Sequence, residues 1–456
     1  MMFYQTSGGG TKVKVDVCVI GAGVAGLTAA VKAAEKGLKV LAVEKGSGAT
    51  IQSSGVIDVA GYFPPNHMFA SASEGVRTIA EKVKNHPYSI IGGGKKSEPE
   101  RRGLESERKV KRALEFFVEG MKSVGVKFMG SLDENVLVTN FVGTFKPTCL
   151  CPSTMYNGDL RRLDGSSLVL VGVKGFPDYD PRFCAQSLRD ILSRLEIKPK
   201  SVSHAYIDVP GLEGRGDILA IEIARKMDDP EALEKIGQSL QKVVGSAEHL
   251  AIPTCGVQSP EENIKTLAEA TGSNVFELAS FPPSVPGYRL AKSLEKWAQK
   301  AGVSVRRGYK VLDAKFDKNV KSLRVEIGRK IAEIEADIYI LASGGFLGGG
   351  LKEEKDFVRE SIFNLPVYSS DGVNLEEVYL EKLLSRKVFP KGGHQLFSCG
   401  ILVDENLQPL SEKGEPVYSN LYAAGAILSG YNYMAEKSGM GVAIATGYLA
   451  GLKASS

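Results

Sequence analysis

The sequence predicts an α/β protein whose two ends build one domain, with a second α/β domain inserted between them. Three observations predict it. A strand–glycine turn–helix–strand unit opens the chain, the character of the sequence changes between about Phe128 and Pro283, and a strand ending in Ala-Ala-Gly with a glycine-led helix closes it.

In the opening unit, Val13, Val15, Val17 and Val19 alternate up to Ile20, as a buried strand should. Gly21-Ala22-Gly23-Val24-Ala25-Gly26 then fits G-x-G-x-x-G. Gly21 permits the tight turn, Gly23 lets a pyrophosphate approach the backbone, and Gly26 lets helix and strand pack closely. The helix runs to about Lys36, with Ala25, Ala29, Ala30 and Ala33 as small packing residues and Gly37 as its stop. Its amide-rich, positive end faces the phosphates, with Val24 and Ala25 in the first turn. Glu44 ends the second strand about 20 residues on, where a carboxylate accepts from ribose hydroxyls, and Lys45 follows it. The unit reads as a Rossmann-like dinucleotide site.

A Gly-, Ser- and Ala-rich stretch over 46–61 follows, and Ser53, Ser54 and Gly55 within it suit close approach to a cofactor. A helix is expected near 73–84, then the turn His86-Pro87-Tyr88-Ser89. From Gly92 a polar linker carries Lys95, Lys96, Arg101 and Arg102, read as solvated charges. An amphipathic helix over 106–124 puts Val110, Leu114, Phe117 and Met121 on one face. In the inserted region, strands over 168–173 and 249–254 alternate with helices near 182–195, 217–227 and 230–244. Gly172-Val173-Lys174-Gly175 lacks the full glycine spacing, so no second dinucleotide fingerprint is present, which argues against a nicotinamide donor. The chain then returns with a helix over 289–300, a strand over 303–307 and an apolar strand over 337–342 that ends at Ser343-Gly344-Gly345. Asn420 to Gly425 forms a short strand closing on glycine, and Gly439-Met440-Gly441-Val442 opens a final small-residue helix, either an ordinary terminal βα unit with glycines for packing or one whose positive end stabilises negative charge on a bound cofactor. The expected organisation is 12–127, 286–350 and 395–456 for the nucleotide-binding domain, 128–285 for the inserted substrate or partner domain, and 351–394 for a short insertion.

Composition excludes several classes. Hydrophobic residues make up 43% and charged residues 24%, ordinary for a globular protein with a large core. Net charge is +4, from 57 basic and 53 acidic residues, which gives no case for nucleic acid. The 6 cysteines are too scattered for a disulfide scaffold and suit a reducing cytoplasm. No run approaches the roughly 18 apolar residues of a membrane helix, and Met1–Thr11 lacks the pattern of a signal peptide, with Gly8-Gly9-Gly10 reading as a loose tail.

The opening fingerprint, the alanine-serine-glycine strand end after a long insertion and the terminal strand–glycine–helix together resemble FAD-dependent, fumarate-reductase-like oxidoreductases. His86-Pro87-Tyr88-Ser89, Ser53 to Asp58, the block Phe281-Pro282-Pro283-Ser284-Val285-Pro286-Gly287-Tyr288-Arg289-Leu290, Leu341 to Phe346 with Gly349-Gly350-Leu351, and Gly400 to Pro409 with Asn420 to Gly425 narrow this. They resemble, in order and over nearly the whole chain, the B subunit of anaerobic glycerol-3-phosphate dehydrogenase. The resemblance implies oxidation of glycerol 3-phosphate to dihydroxyacetone phosphate in company with two others: a second flavoprotein, the A subunit, and an iron–sulfur protein that feeds the quinone pool. It implies a cytoplasmic protein that meets the membrane only through partners. The B subunit is usually described with FMN; Glu44, an acid fitted to an adenosine ribose, favours FAD. The segment from Glu44 to Asp58 holds no histidine, so the flavin is expected to be non-covalent.

For chemistry, oxidation of a secondary alcohol needs a base and a cation for the substrate phosphate. His86 is the candidate base or substrate hydrogen-bond donor, against a plain capping histidine; Arg289 is the candidate anion ligand, against a structural ion pair; Lys146 adds charge or is a surface lysine. His394 ranks below them. Cys149-Leu150-Cys151-Pro152 has no second ligand pair, so no metal site is expected. Three functions stay open: catalysis at this chain's own flavin, electron relay or assembly within the complex, and a stand-alone fumarate-reductase-like FAD enzyme.

Overall fold

Alternating valines and a run of alanines set the first elements, and the rest of the architecture is arranged about them. The computed structural model describes residues 4–5, 11–64, 67–354, 357–376, 378–388, 390 and 392–455. The expected Gly8-Gly9-Gly10 tail lies outside them. In chain order the first elements are β1 (Thr11–Ile20), α1 (Val24–Ala34), β2 (Val40–Glu44), α2 (Pro87–Ile91) and α3 (Pro99–Lys122). Next come β3 (Ser167–Val173), α4 (Pro181–Arg194), β4 (Ser201–Ile207), α5 (Pro230–Val244), β5 (His249–Ile252) and β6 (Asn274–Glu277). The chain continues with α6 (Val285–Lys300), β7 (Ser304–Arg307), β8 (Tyr309–Phe316), β9 (Val320–Ile327), β10 (Lys330–Leu341), β11 (Leu421–Ala423) and α7 (Gly439–Ala454).

The chain forms two compact units. The first comprises Met1–Ala49, Asp58–Val126 and Ala291–Ser456; the second comprises Thr50–Ile57 and Lys127–Leu290. The first unit is built on a mixed sheet in the order β7-β2-β1-β10-β9-β8, with β11 also on β10. β7, β2, β1, β10 and β11 run parallel, and β8 and β9 are antiparallel. β10 is long enough to share one edge between two partners: β9 pairs along its first half and β11 at its end. Val17, Val19, Leu41, Val43, Ile340 and Leu341 are fully buried there, which explains the near-continuous apolar character of these strands. α1 and α7 pack on each other through small residues: a Cβ on Gly447 would collide with the Ala25 carbonyl, and one on Gly451 with the Ala29 carbonyl.

The second unit carries a fully parallel sheet in the order β4-β3-β5-β6. Leu170, Leu250 and Ala251 fill its centre. A smaller core of Val56, Val136, Val138, Cys151, Met155 and Ala279 lies in the same unit.

Three expectations are corrected. Residues 50–57 and 286–290 belong to the second unit, not to the nucleotide-binding one. The reason is backbone pairing: Ile57 and Leu150 exchange amide–carbonyl bonds at 2.8 and 3.1 Å, and Gly287 lies against the Thr50, Ile51 and Ser53 carbonyls. The polar stretch before α3 is not all linker, because α3 already begins at Pro99, which suits the first helical position. Arg102 is not a solvated charge either. It is buried, and its guanidinium donates to the carbonyls of Ala80 (2.7 Å), Glu81 (2.8 Å), Gly94 (3.2 Å) and Ser97 (3.2 Å).

Candidate nucleotide site

At the end of β1 the chain makes the turn that the glycines foretell. Gly21 has φ +107°, a region that favours glycine, and donates to Val43 O at 2.8 Å. A Cβ at Gly21 would collide with the Ala342 carbonyl, and one at Gly26 with the Gly21 carbonyl, so the turn closes only without side chains. Gly23 is the extended N-cap of α1; it supplies no side-chain cap, and no acid occupies the first turn. The first amides of the helix, with Val24 and Ala25 buried behind them, therefore keep their positive end for an external anion.

β10 delivers Ser343 and Gly344 to the same place. Ala342 donates to Ile20 O at 2.8 Å, so the residues after β10 lie beside the glycine turn. Ser343 Oγ is a buried hydroxyl without a hydrogen-bond partner, a cost that a ligand's polar atom would remove. An uncapped helix end, a side-chain-free turn and an orphaned hydroxyl fit a dinucleotide diphosphate. Gly425, after β11, joins them: its amide donates to Thr446 Oγ1 at 2.9 Å, and a Cβ there would sit 2.6 Å from that of Ala25.

Glu44 lies at the tip of β2, only 8% exposed, and Lys45 beyond it is exposed. Arg307, across from Glu44 on β7, donates from Nε to its Oε1 at 2.6 Å. Burial pushes the Glu44 carboxyl above its ordinary pKa, and the Arg307 charge opposes that shift without cancelling it.

α7 begins at Gly439, and its N-cap Ser438 makes no side-chain capping bond. Gly441 donates to Asp58 O at 2.8 Å and Val442 to Ser438 O at 3.0 Å. A Cβ on Gly441 would collide with the Tyr88 hydroxyl, so this glycine also serves packing. His86 is fully buried next to this region. Its Nδ1 accepts the Tyr88 amide at 2.9 Å, capping α2, and its Nε2 faces Glu436 Oε2 at 3.1 Å. Because Nδ1 accepts, the proton sits on Nε2 and is directed at the carboxylate. Glu436 Oε2 also receives the Ser438 hydroxyl at 2.8 Å, and Oε1 the Asn432 amide at 2.9 Å. Burial raises the Glu436 pKa, but His86 and these donors outweigh it, and the carboxyl ends below its ordinary range.

Other candidates lie in the second unit. Ser53 Oγ donates to Thr50 O at 2.8 Å and accepts the Gly55 amide at 3.3 Å; Ser54 is half-buried. A Cβ on Gly55 would sit 2.7 Å from that of Pro286. Lys146 is half-buried on the strand Phe145–Thr148, across from Val138. Arg289 is half-buried: one nitrogen donates to Gly256 O at 2.7 Å and Glu277 Oε1 at 3.1 Å, and the other pairs with Glu277 Oε2. Glu277 in turn accepts the Thr154 hydroxyl at 3.1 Å. His394, back in the first unit, is tied to its own loop through the Ser385 amide at 3.0 Å and the Val388 carbonyl at 3.1 Å. All six cysteines are free and buried, and among the described residues no metal-binding group of His, Cys, Asp and Glu exists.

Thus Gly21, Gly23, Val24, Ala25, Gly26, Ser343, Gly344 and Gly425 share one neighbourhood. Glu44 ends the adjoining strand with Lys45 just beyond it, and Gly439, Gly441 and Val442 open the helix packed on α1. Sequence reading missed Arg307, Glu436 and Glu277, the partners of residues it chose. Only Arg307 had a local signal, as a basic residue closing an expected strand beside an acid-ended one.

No described helix is long and apolar enough to cross a membrane. The chain is similar over nearly all its length to named proteins. It is 28% identical over 450 residues (95% of this chain, 93% of the relative) to the B subunit of anaerobic glycerol-3-phosphate dehydrogenase of Aliivibrio fischeri. It is 29% identical over 450 residues (97% and 98%) to the probable B subunit of anaerobic glycerol-3-phosphate dehydrogenase of Halobacterium salinarum. Among solved structures, a 3-ketosteroid delta1-dehydrogenase from Sterolibacterium denitrificans aligns with 97% of this chain and 99% of its own at 11% identity and a TM-score of 0.45. The profile of the FAD binding domain family matches residues 16–442. With a glycine turn, an uncapped helix and a strand-end acid inside the matched span, the chain belongs to the FAD binding domain family and its cofactor is FAD.

Proposed function

We propose that this chain is the flavoprotein subunit of a glycerol-3-phosphate dehydrogenase, in which glycerol 3-phosphate becomes dihydroxyacetone phosphate and electrons leave through partner proteins to a quinone pool. The observation that carries the reading is end-to-end similarity to relatives named as B subunits of such an enzyme, covering 93% and 98% of their lengths. Bound FAD supplies a two-electron acceptor. The chain's own part is to bind the diphosphate at the α1 end, seat the adenosine ribose near Glu44, and aim the start of α7 at the flavin. The partners we propose are a second flavoprotein, the A subunit, and an iron–sulfur protein through which membrane contact is made.

A second reading is favoured by the side chains themselves. His86 spends both ring nitrogens on Tyr88 and Glu436, and Arg289 is taken up by Glu277 and Gly256. Neither is poised as a free base or phosphate ligand, which supports relay of electrons from the second flavoprotein rather than oxidation here. Anaerobic mixing of the FAD-loaded chain with glycerol 3-phosphate separates the two. Bleaching by the chain alone establishes catalysis; bleaching only after the second flavoprotein is added establishes relay. No bleaching in either case rejects both. Acid release is expected to yield FAD, and FMN alone would reverse the use of Glu44.

A further inference from the structure

Glu44 does not stand by itself. β7 runs parallel to β2 and places Arg307 directly across from it. Arg307 Nε reaches Glu44 Oε1 at 2.6 Å, and its Nη2 reaches Glu295 Oε2, on α6, at 2.9 Å. One guanidinium is therefore held between two acids from different elements. A planar fork braced at both ends fixes the plane of the carboxylate it touches. With Oε1 occupied, Oε2 is the oxygen that remains for a ribose hydroxyl.

We propose that Arg307 is a positioning residue for FAD: braced by Glu295, it orients the Glu44 carboxylate toward the adenosine ribose. The proposal rests on reading Glu44 as the ribose acid, and it goes beyond that reading by assigning a residue that does not touch the ribose. Its electrostatic side follows from the groups facing Glu44, which are Arg307 on β7 and Glu295 and Lys292 on α6. Burial and Glu295 favour the protonated acid; Arg307 and Lys292 favour the carboxylate. A ribose hydroxyl donates best to the ionised form, so FAD affinity must fall as pH falls through the Glu44 titration. Removing Arg307 moves that fall to higher pH.

The test uses full-length apoprotein and the dissociation constants of FAD and FMN, followed by flavin fluorescence from mildly acidic to neutral pH. Thermal unfolding of each variant accompanies the binding curves. FMN lacks the adenosine ribose and serves as the internal control. Arg307→Met is expected to weaken FAD on the order of tenfold, the worth of one hydrogen bond to a charged group. It should leave FMN affinity unchanged and shift the acid-side loss of FAD affinity upward in pH. Arg307→Lys should recover part of both effects. Glu44→Gln should weaken FAD similarly and flatten the pH profile. If Glu44→Gln leaves FAD binding unchanged, the ribose reading itself fails. If Glu44→Gln weakens FAD but Arg307→Met keeps the wild-type affinity and profile, the positioning role alone fails. Equal losses for FAD and FMN in Arg307→Met, with lowered unfolding temperature, would make Arg307 merely structural and overturn the proposal.

Discussion

Arg289 shows how a charged residue in a suggestive place is spent on the fold. Its guanidinium and the fully buried Glu277 carboxylate satisfy each other, with Gly256 and Thr154 taking further bonds. Breaking such a pair leaves an uncompensated buried charge, which costs about 3–5 kcal/mol. Arg289→Ala is therefore expected to lower unfolding free energy by roughly that amount in denaturant titration. A variant of wild-type stability would show that Glu277 is readily neutralised instead. The choice between anion ligand and ion pair was not legible in the sequence, because Glu277 ends β6, outside every motif that the reading used. His86 is parallel: its position before Pro87 announced a cap, but Glu436 comes from the far end of the chain.

At the scale of elements, the contact between α1 and α7 ties the two chain ends together. α1 contributes Ala25 and Ala29, and α7 meets their carbonyls with Gly447 and Gly451. This close approach fixes how far the start of α7 stands from the glycine turn. Adding one methyl here is overpacking against backbone that cannot yield easily, worth about 1–3 kcal/mol. Gly447→Ala is predicted to lose that much stability and to bind FAD more weakly, read by denaturant unfolding and flavin fluorescence. Unchanged stability would mean that the helices separate freely. The β1–α1–β2 unit was legible because its signals are local: alternation, glycine spacing and a terminal acid. The hairpin β8–β9 went unnoticed, since no glycine motif or terminal acid marks its strands, which pair with each other and with half of β10.

The whole molecule is two units, interleaved along the chain, whose cores leave no cysteine exposed. Burial pushes the thiols of Cys18, Cys149, Cys184 and Cys399 up to about 12. The thiolate is the reactive species, so these groups are inert while the fold holds. Reaction of the native protein with a thiol reagent is predicted to be slow, with all 6 cysteines titrating promptly after unfolding. Rapid native labelling at Cys149 or Cys151 would indicate that the second unit opens locally.

The amino-acid sequence by itself determined the class of fold and the dinucleotide turn, because those depend on periodicity and on glycines at fixed spacing; the meeting of both chain ends was what the family resemblance implied. It also placed Glu44 at a strand tip. Only the tertiary structure decided what each charged side chain faces: Arg307 on Glu44, Glu277 on Arg289, Glu436 on His86, and carbonyls on Arg102. The physical reason is that periodicity is written in neighbouring residues. The partner of a buried charge is chosen by packing, and here it comes from residues as distant as 350 positions along the chain.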